Sequence, residues 1–228
     1  MNTSNQSLIQ ENRYFFAGFM LFLITGFVLL INLKQGELIL FFSEHRSPNG
    51  DAFFRLTTQL GEEFIYITLI IGSLFYRFRY SLLFTLTGLV VMIVSLVAKT
   101  IFAHERPFTF FDKLGQFDQL NVVDGVSLLV GPTSFPSGHT MSAFAMYGLL
   151  AFLLPYKKPW GFMFLSIAAL VGLSRIYLIQ HFVKDVFTGA ILGVGIAMLL
   201  YQLNQRITFS PNRWYNRSIL SWFVKAKA

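Results

Sequence analysis

The sequence predicts an all-α, polytopic membrane protein: a bundle of six transmembrane helices, with an interfacial helix between the first and second. Three observations carry this expectation. The 228 residues are 54% hydrophobic and only 13% charged, a balance suited to burial in lipid rather than to a soluble domain. Apolar runs recur at lengths near the 20 helical residues that cross a hydrocarbon core of roughly 30 Å. Cations gather at the ends of those runs, where headgroups would meet them.

Residues 14–33 form the first run; the polar segment before it carries one net-neutral Glu11/Arg13 pair, the run is too long, and no small-residue cleavage site follows, so it does not read as a signal peptide. Residues 34–63 mix apolar pairs with charges around a Ser47-Pro48-Asn49-Gly50 turn, the pattern of a helix lying in the interface followed by a break. The second crossing is expected over 53–76, with Thr57, Thr58, Gln59, Glu62 and Glu63 in its outer half, and the third over 81–98. Residues 108–135 hold four charges, Gly115, Gly125 and Gly131, and no spanning run, so they read as an aqueous loop. Spans four, five and six follow at 140–154, 160–173 and 186–201, with a basic turn at 155–159. Gly189, Gly193 and Gly195 in the last span suit close helix packing. A single integral domain over residues 1–228 is expected, ending in a basic, Trp-bearing tail at 203–228 suited to a headgroup surface.

Six crossings place the N-terminus, the 2/3 and 4/5 turns and the C-terminus on one side. That side carries ten cations against five on the other, once Lys99, Arg106 and Arg175 are set apart, so both termini are expected in the cytoplasm. The net charge of +7 forms no stripe with interleaved aromatics, which argues against nucleic acid and for anionic lipid as the partner. The absence of cysteine excludes disulfides, thiolate metal sites and a cysteine nucleophile.

Ionisable groups beside apolar runs need a reason. His181 and Asp185 are four apart, so on a helix they share a face, and a carboxylate there can hold one imidazole nitrogen while the other meets a substrate. Arg175 lies just upstream and suits an oxyanion. Lys99 and Arg106 are two helical turns apart and project together if the helix continues to Pro107, which would end it. Pro136-Ser137-Gly138-His139 opens the fourth span, where unpaired amides and the helix dipole attract anions. An even number of crossings separates these clusters, so all share the extracytoplasmic face. A structural His–Asp pair is the bland alternative for His181 alone. Together the clusters suit phosphoryl transfer: His181 as nucleophile, oriented by Asp185, and His139 as proton donor to the leaving oxygen. No carboxylate cluster has metal-ligand spacing, so neither metal nor cofactor is expected, and His45 and His104 read as interfacial or loop residues.

Lys99 with Arg106-Pro107, Pro136-Ser137-Gly138-His139, and Ser174-Arg175 with His181 and Asp185 resemble the three-part signature of the type 2 phosphatidic acid phosphatase (PAP2) superfamily, over about residues 53–202. All eleven positions occur in order, with 28 residues between the first two motifs and 34 between the last two. The resemblance implies a phosphohistidine at His181 oriented by Asp185, His139 as acid, and phosphate held by Lys99, Arg106, Ser137, Gly138 and Arg175. It also implies a six-helix bundle with its site at the outer leaflet. The expected substrate is a lipid phosphate: phosphatidic acid, phosphatidylglycerol phosphate, a polyprenyl diphosphate or a lipid A phosphate. A vanadate haloperoxidase, soluble in this superfamily, and a non-catalytic lipid-phosphate binding or transport protein are the alternatives.

Overall fold

A computed structural model describes residues 8–154, 157–207 and 214–221, with the side chains of 157 and 158 outside the description. All regular structure among them is helical. The long helices are α1 (Arg13–Asn32), α5 (Phe78–Phe102), α8 (Lys157–Tyr177) and α9 (Val183–Arg206), and each carries a stretch long and apolar enough to cross a membrane. Two shorter apolar helices, α4 (Glu63–Tyr76) and α7 (Gly138–Leu153), pack with them. The remainder are α2 (Glu37–Glu44), α3 (Pro48–Gln59) and α6 (Pro107–Lys113).

The bundle is built around α7. From Ala143 to Leu149 every residue is buried, so this helix is apolar on all sides because it has neighbours on all sides. Helix α9 lies against it through Gly189 and Gly193. A Cβ at Gly189 would stand 2.7 Å from the Ser137 carbonyl oxygen, and one at Gly193 2.5 Å from that of Met141. Gly195 faces open space and has no such role. Phe15 and Phe19 of α1 close the far side by edge and tilted contacts with Phe152 and Phe144.

The expected second crossing over 53–76 is not continuous. Helix α3 ends at Gln59, and the amides of Leu60, Gly61 and Glu62 bond back three residues to Thr57, Thr58 and Gln59, a tight turn that starts α4 afresh. Close packing causes the break: a Cβ at Gly61 would lie 2.6 Å from Val171 Cγ1 and 3.2 Å from the His139 carbonyl oxygen. Tyr147 Oη donates to the Leu60 carbonyl at 2.9 Å and pins the turn to α7. Within 34–63, expected as a helix followed by a break, α2 ends at Glu44 and a new helix, α3, starts at Pro48. Ser47 caps α3 by accepting from Gly50 N–H at 3.1 Å, with Pro48 at the first helical position.

Pro107 starts a helix rather than ending one. Helix α5 stops at Phe102, Ala103 takes a left-handed conformation (φ 46°), and Pro107 opens α6, where its missing N–H costs nothing. Lys99 and Arg106 therefore belong to different elements. The loop over 108–135 contains α6 and a 3₁₀ turn at Phe117–Gln119, and Gly115, Gly125 and Gly131 all adopt positive φ at its bends. Past α9, Arg217 accepts from Phe78 N–H at 3.0 Å and Trp214 lies against the Phe78 ring, so this part of the tail returns to the start of α5. Residues 155–156 of the basic turn and residues 208–213 and 222–228 of the tail lie outside the described residues.

Candidate functional site

The end of α8 shapes the site. Gln180 N–H donates to the Arg175 carbonyl and Ile179 N–H to that of Ile176, the paired bonds of a Schellman cap. The cap needs a left-handed residue where glycine is usual, and here it is Ile179 at φ 58°. That conformation costs about 1–2 kcal/mol for a residue with a Cβ, and the fully buried Ile179 side chain offsets it by packing with Ile39, Phe111 and Phe182. The result aims His181. Its own N–H also bonds the Arg175 carbonyl, at 3.1 Å.

His181 and Asp185 do meet, but not as two residues on one helix face. His181 is in the corner before α9, and Asp185 is the third residue of that helix. His181 Nδ1 stands 3.5 Å from Asp185 Oδ2, a long charge contact in which the carboxylate is held mainly by others. Ser134 Oγ donates to that oxygen at 2.6 Å and Phe182 N–H at 2.9 Å. On the opposite nitrogen, Arg106 lies 3.1 Å from Nε2 and also donates to the Gln180 carbonyl at 3.0 Å. A guanidinium only donates, so Nε2 must present its lone pair and Nδ1 carries the proton, facing Asp185. Burial, opposed by the Asp185 carboxylate, lowers the His181 pKa to about 4, which keeps the imidazole neutral.

The other motif residues converge on this corner. Ser137 caps α7: its Oγ accepts from Thr140 N–H at 3.4 Å and from Thr140 Oγ1 at 2.9 Å, leaving its own proton to donate elsewhere. Gly138 opens the helix where a Cβ would lie 3.3 Å from Ser95 Oγ and 3.7 Å from Lys99 Nζ, so the ammonium and the free amides share one small space. Lys99, Arg106, Arg175 and His181 all lie within electrostatic reach of the His139 imidazole. Arg175, buried, donates to Thr58 Oγ1 at 2.6 Å, and its Nε has no hydrogen-bond partner among the described residues. Pro107, Pro136 and Ser174 are buried supports; Ser174 Oγ donates to the Val171 carbonyl within its own helix. His45 is exposed, and His104 packs on Phe102 and Phe135, as residues outside the cluster.

Sequence reasoning missed the residues that hold the motif residues. Thr58 positions Arg175, Ser134 positions Asp185, and Thr133 accepts from Arg106 Nε at 3.3 Å. The one available signal was the polar Thr57-Thr58 pair in an otherwise apolar crossing. Nothing in the sequence separates the two: Thr57 Oγ1 bonds its own helix at Phe53, and only Thr58 reaches the site.

Three cations, two histidines and a helix N-terminus lie together at one end of an apolar bundle, an arrangement with the chemistry to receive an oxyanion. The PAP2 superfamily profile matches residues 64–209, and the chain belongs to that superfamily. It is 40% identical to phosphatidylglycerophosphatase B of Bacillus subtilis over 86 residues, which is 32% of this chain and 40% of that protein. Over 175 residues it is 29% identical to the bacitracin transport permease protein BcrC of Bacillus licheniformis, covering 71% of this chain and 83% of that one. Its fold is similar to the crystal structure of a transmembrane PAP2-type phosphatidylglycerolphosphate phosphatase from Bacillus subtilis, with a TM-score of 0.59, 27% identity, and coverage of 86% of this chain and 98% of that one.

Proposed function

We propose that this chain is a metal-independent membrane phosphatase that hydrolyses a lipid phosphomonoester or diphosphate. The observation that carries the reading is the imidazole of His181, neutral and with its Nε2 lone pair 3.1 Å from an Arg106 guanidinium. A phosphate drawn to that guanidinium arrives at the nucleophile. Nε2 bonds to phosphorus, the phosphorus–oxygen bond to the lipid breaks, and His139 delivers a proton to the departing oxygen. Asp185 stabilises the charge that grows on the attacking ring. Lys99, Arg106, Arg175, the Ser137 hydroxyl and the amides around Gly138 receive the equatorial oxygens. Water, deprotonated by His139, then attacks the phosphohistidine and releases inorganic phosphate. Among substrates, the likeness in sequence and in fold to the phosphatidylglycerol-phosphate phosphatase of Bacillus subtilis favours that class of headgroup.

The same reading takes α4 and α7 as crossings, which gives six, with both termini in the cytoplasm and the site at the outer leaflet. A cysteine at Gln116 of this cysteine-free chain should then react with an impermeant thiol reagent in intact cells. Protection there would invert the orientation. The Bacillus licheniformis relative, a transport permease protein by name, favours a second reading, movement or binding of a lipid phosphate without hydrolysis. Phosphate release by purified protein from a panel of lipid phosphates separates the two. Release that survives EDTA and stops with vanadate supports the phosphatase; binding without release supports the transporter.

A further inference from the structure

Two cavities run along α1 on the flank where it meets α8 and α9. The larger of the two, about 480 Å³, is walled by Phe22 and Gly26 of α1, Ala169 and Leu173 of α8, and Phe187 of α9. The smaller, about 210 Å³, is bounded by Lys34, Gln35, Phe182 and Lys184. Leu29, Leu38 and Val183 line both, so they form one groove. Its length along α1, from Phe22 to Asn32, is about 15 Å of helix rise, or half of a roughly 30 Å hydrocarbon core. The walls are apolar, but the mouth is not.

Lys184 Nζ donates to Gln35 at 2.9 Å and lies 5.8 Å above the Phe182 ring. Lys34 is exposed at the same rim. Glu37, the nearby carboxylate, accepts from the Lys34 backbone N–H at 2.9 Å and so is turned into the first turn of α2. Two ammonium groups above an apolar trough one leaflet deep match an anionic headgroup above a single fatty chain. The reaction uses none of these groups.

We infer that this groove holds one acyl chain of an anionic phospholipid, its phosphodiester set between Lys34 and Lys184, as a resident lipid distinct from the substrate. Lys184 precedes Asp185, so a headgroup there ties the α1–α2 corner to the first turn of α9. The inference rests on α1, α8 and α9 crossing the membrane and not on the phosphatase reaction. The test uses the full chain in phosphatidylcholine nanodiscs titrated with phosphatidylserine, which has no phosphomonoester to be cleaved. A saturable rise in unfolding temperature is expected, and a diazirine-tailed phosphatidylserine should label 22–29 or 166–176. The double variant Lys34→Gln, Lys184→Gln should need roughly 30-fold more phosphatidylserine for half-saturation, and Ala169→Phe should lose the label. Arg175→Ala should titrate as the unaltered chain does. Equal protection by phosphatidylcholine, labels spread over α4 and α5, or an unshifted double variant would overturn the inference. So would loss of saturation in Arg175→Ala, which would place the lipid in the reaction site instead.

Discussion

The α8–α9 corner and the α4–α5 hairpin are both apolar by composition, yet they are opposite kinds of structure. From Ser174 to Phe182 every residue is buried, although the run contains Arg175, Gln180 and His181. On α5, Leu86, Met92, Ile93 and Leu96 each leave half or more of their surface exposed, as lipid-facing residues do. The hairpin is held by its own helical hydrogen bonds and meets a solvent that tolerates any apolar shape. The corner is held by side chains bonding to other elements, so one change there leaves a buried polar group unpaired. The proposed function is concentrated in the corner.

The sharpest way to break this comparison is at the two histidines. His181→Ala should abolish turnover of every substrate, by about 10⁶ if it behaves as nucleophiles in other triads do, and rapid quench should yield no acid-labile phosphoenzyme. His139→Ala should lose phosphoenzyme formation from the lipid yet keep a burst of nitrophenol from nitrophenyl phosphate, whose leaving group needs no proton, while hydrolysis of the phosphoenzyme slows for both. Label trapped on His139 would exchange the two roles. Asp185→Asn should cost about 10⁴, because the tautomer that frees Nε2 is no longer favoured.

Next in size are the residues proposed to hold the anion. Arg175→Ala should cost roughly 2–4 kcal/mol of transition-state stabilisation. Thr58→Val leaves the guanidinium in place but removes its 2.6 Å acceptor, and should lower kcat/KM about tenfold. Thr57→Val is the internal control, because that hydroxyl bonds only its own helix. Equal effects at Thr57 and Thr58 would remove Thr58 from the site.

Much of the fold was legible in the sequence because span length and terminal charge are local properties. The motif residues were legible because charge beside an apolar run is costly and so conspicuous. Three things were not. The break at Leu60 depends on how closely Gly61 approaches Val171, a contact 110 residues away in the chain. The role of Pro107 reversed because proline ends one helix and begins another with equal ease. Ile179 gave no sign of a left-handed cap, since only the packing of its side chain makes that conformation tolerable.

A smaller effect concerns pH. His181 titrates near 6.5 when unfolded and about 4 when folded. A depressed histidine pKa means that the unfolded chain binds the extra proton first, so stability is fully present above pH 6.5 and falls as pH drops towards 4. In the proposed reaction the neutral ring is also the nucleophile. The acidic limb of the rate profile for nitrophenyl phosphate should therefore fall well below 6.5, and a limb at 6.5 would show that the ring is solvated in the working enzyme.

The smallest expected effect tests the comparison itself, with one residue type in the two settings. Leu149 on α7 is fully buried and Leu96 on α5 is 64% exposed. Leu96→Ala removes atoms that touch lipid, which can flow into the space, and should change the unfolding free energy in detergent by no more than about 0.5 kcal/mol. Leu149→Ala opens a cavity between helices that lipid cannot enter. Because a chain unfolded in an apolar medium loses little by transfer, the cost should lie near the lower end of the soluble range, about 2 kcal/mol, and be mostly lost packing. If both substitutions cost the same, α5 is covered by protein in the assembled state, and the hairpin is an interface rather than a lipid-facing wall.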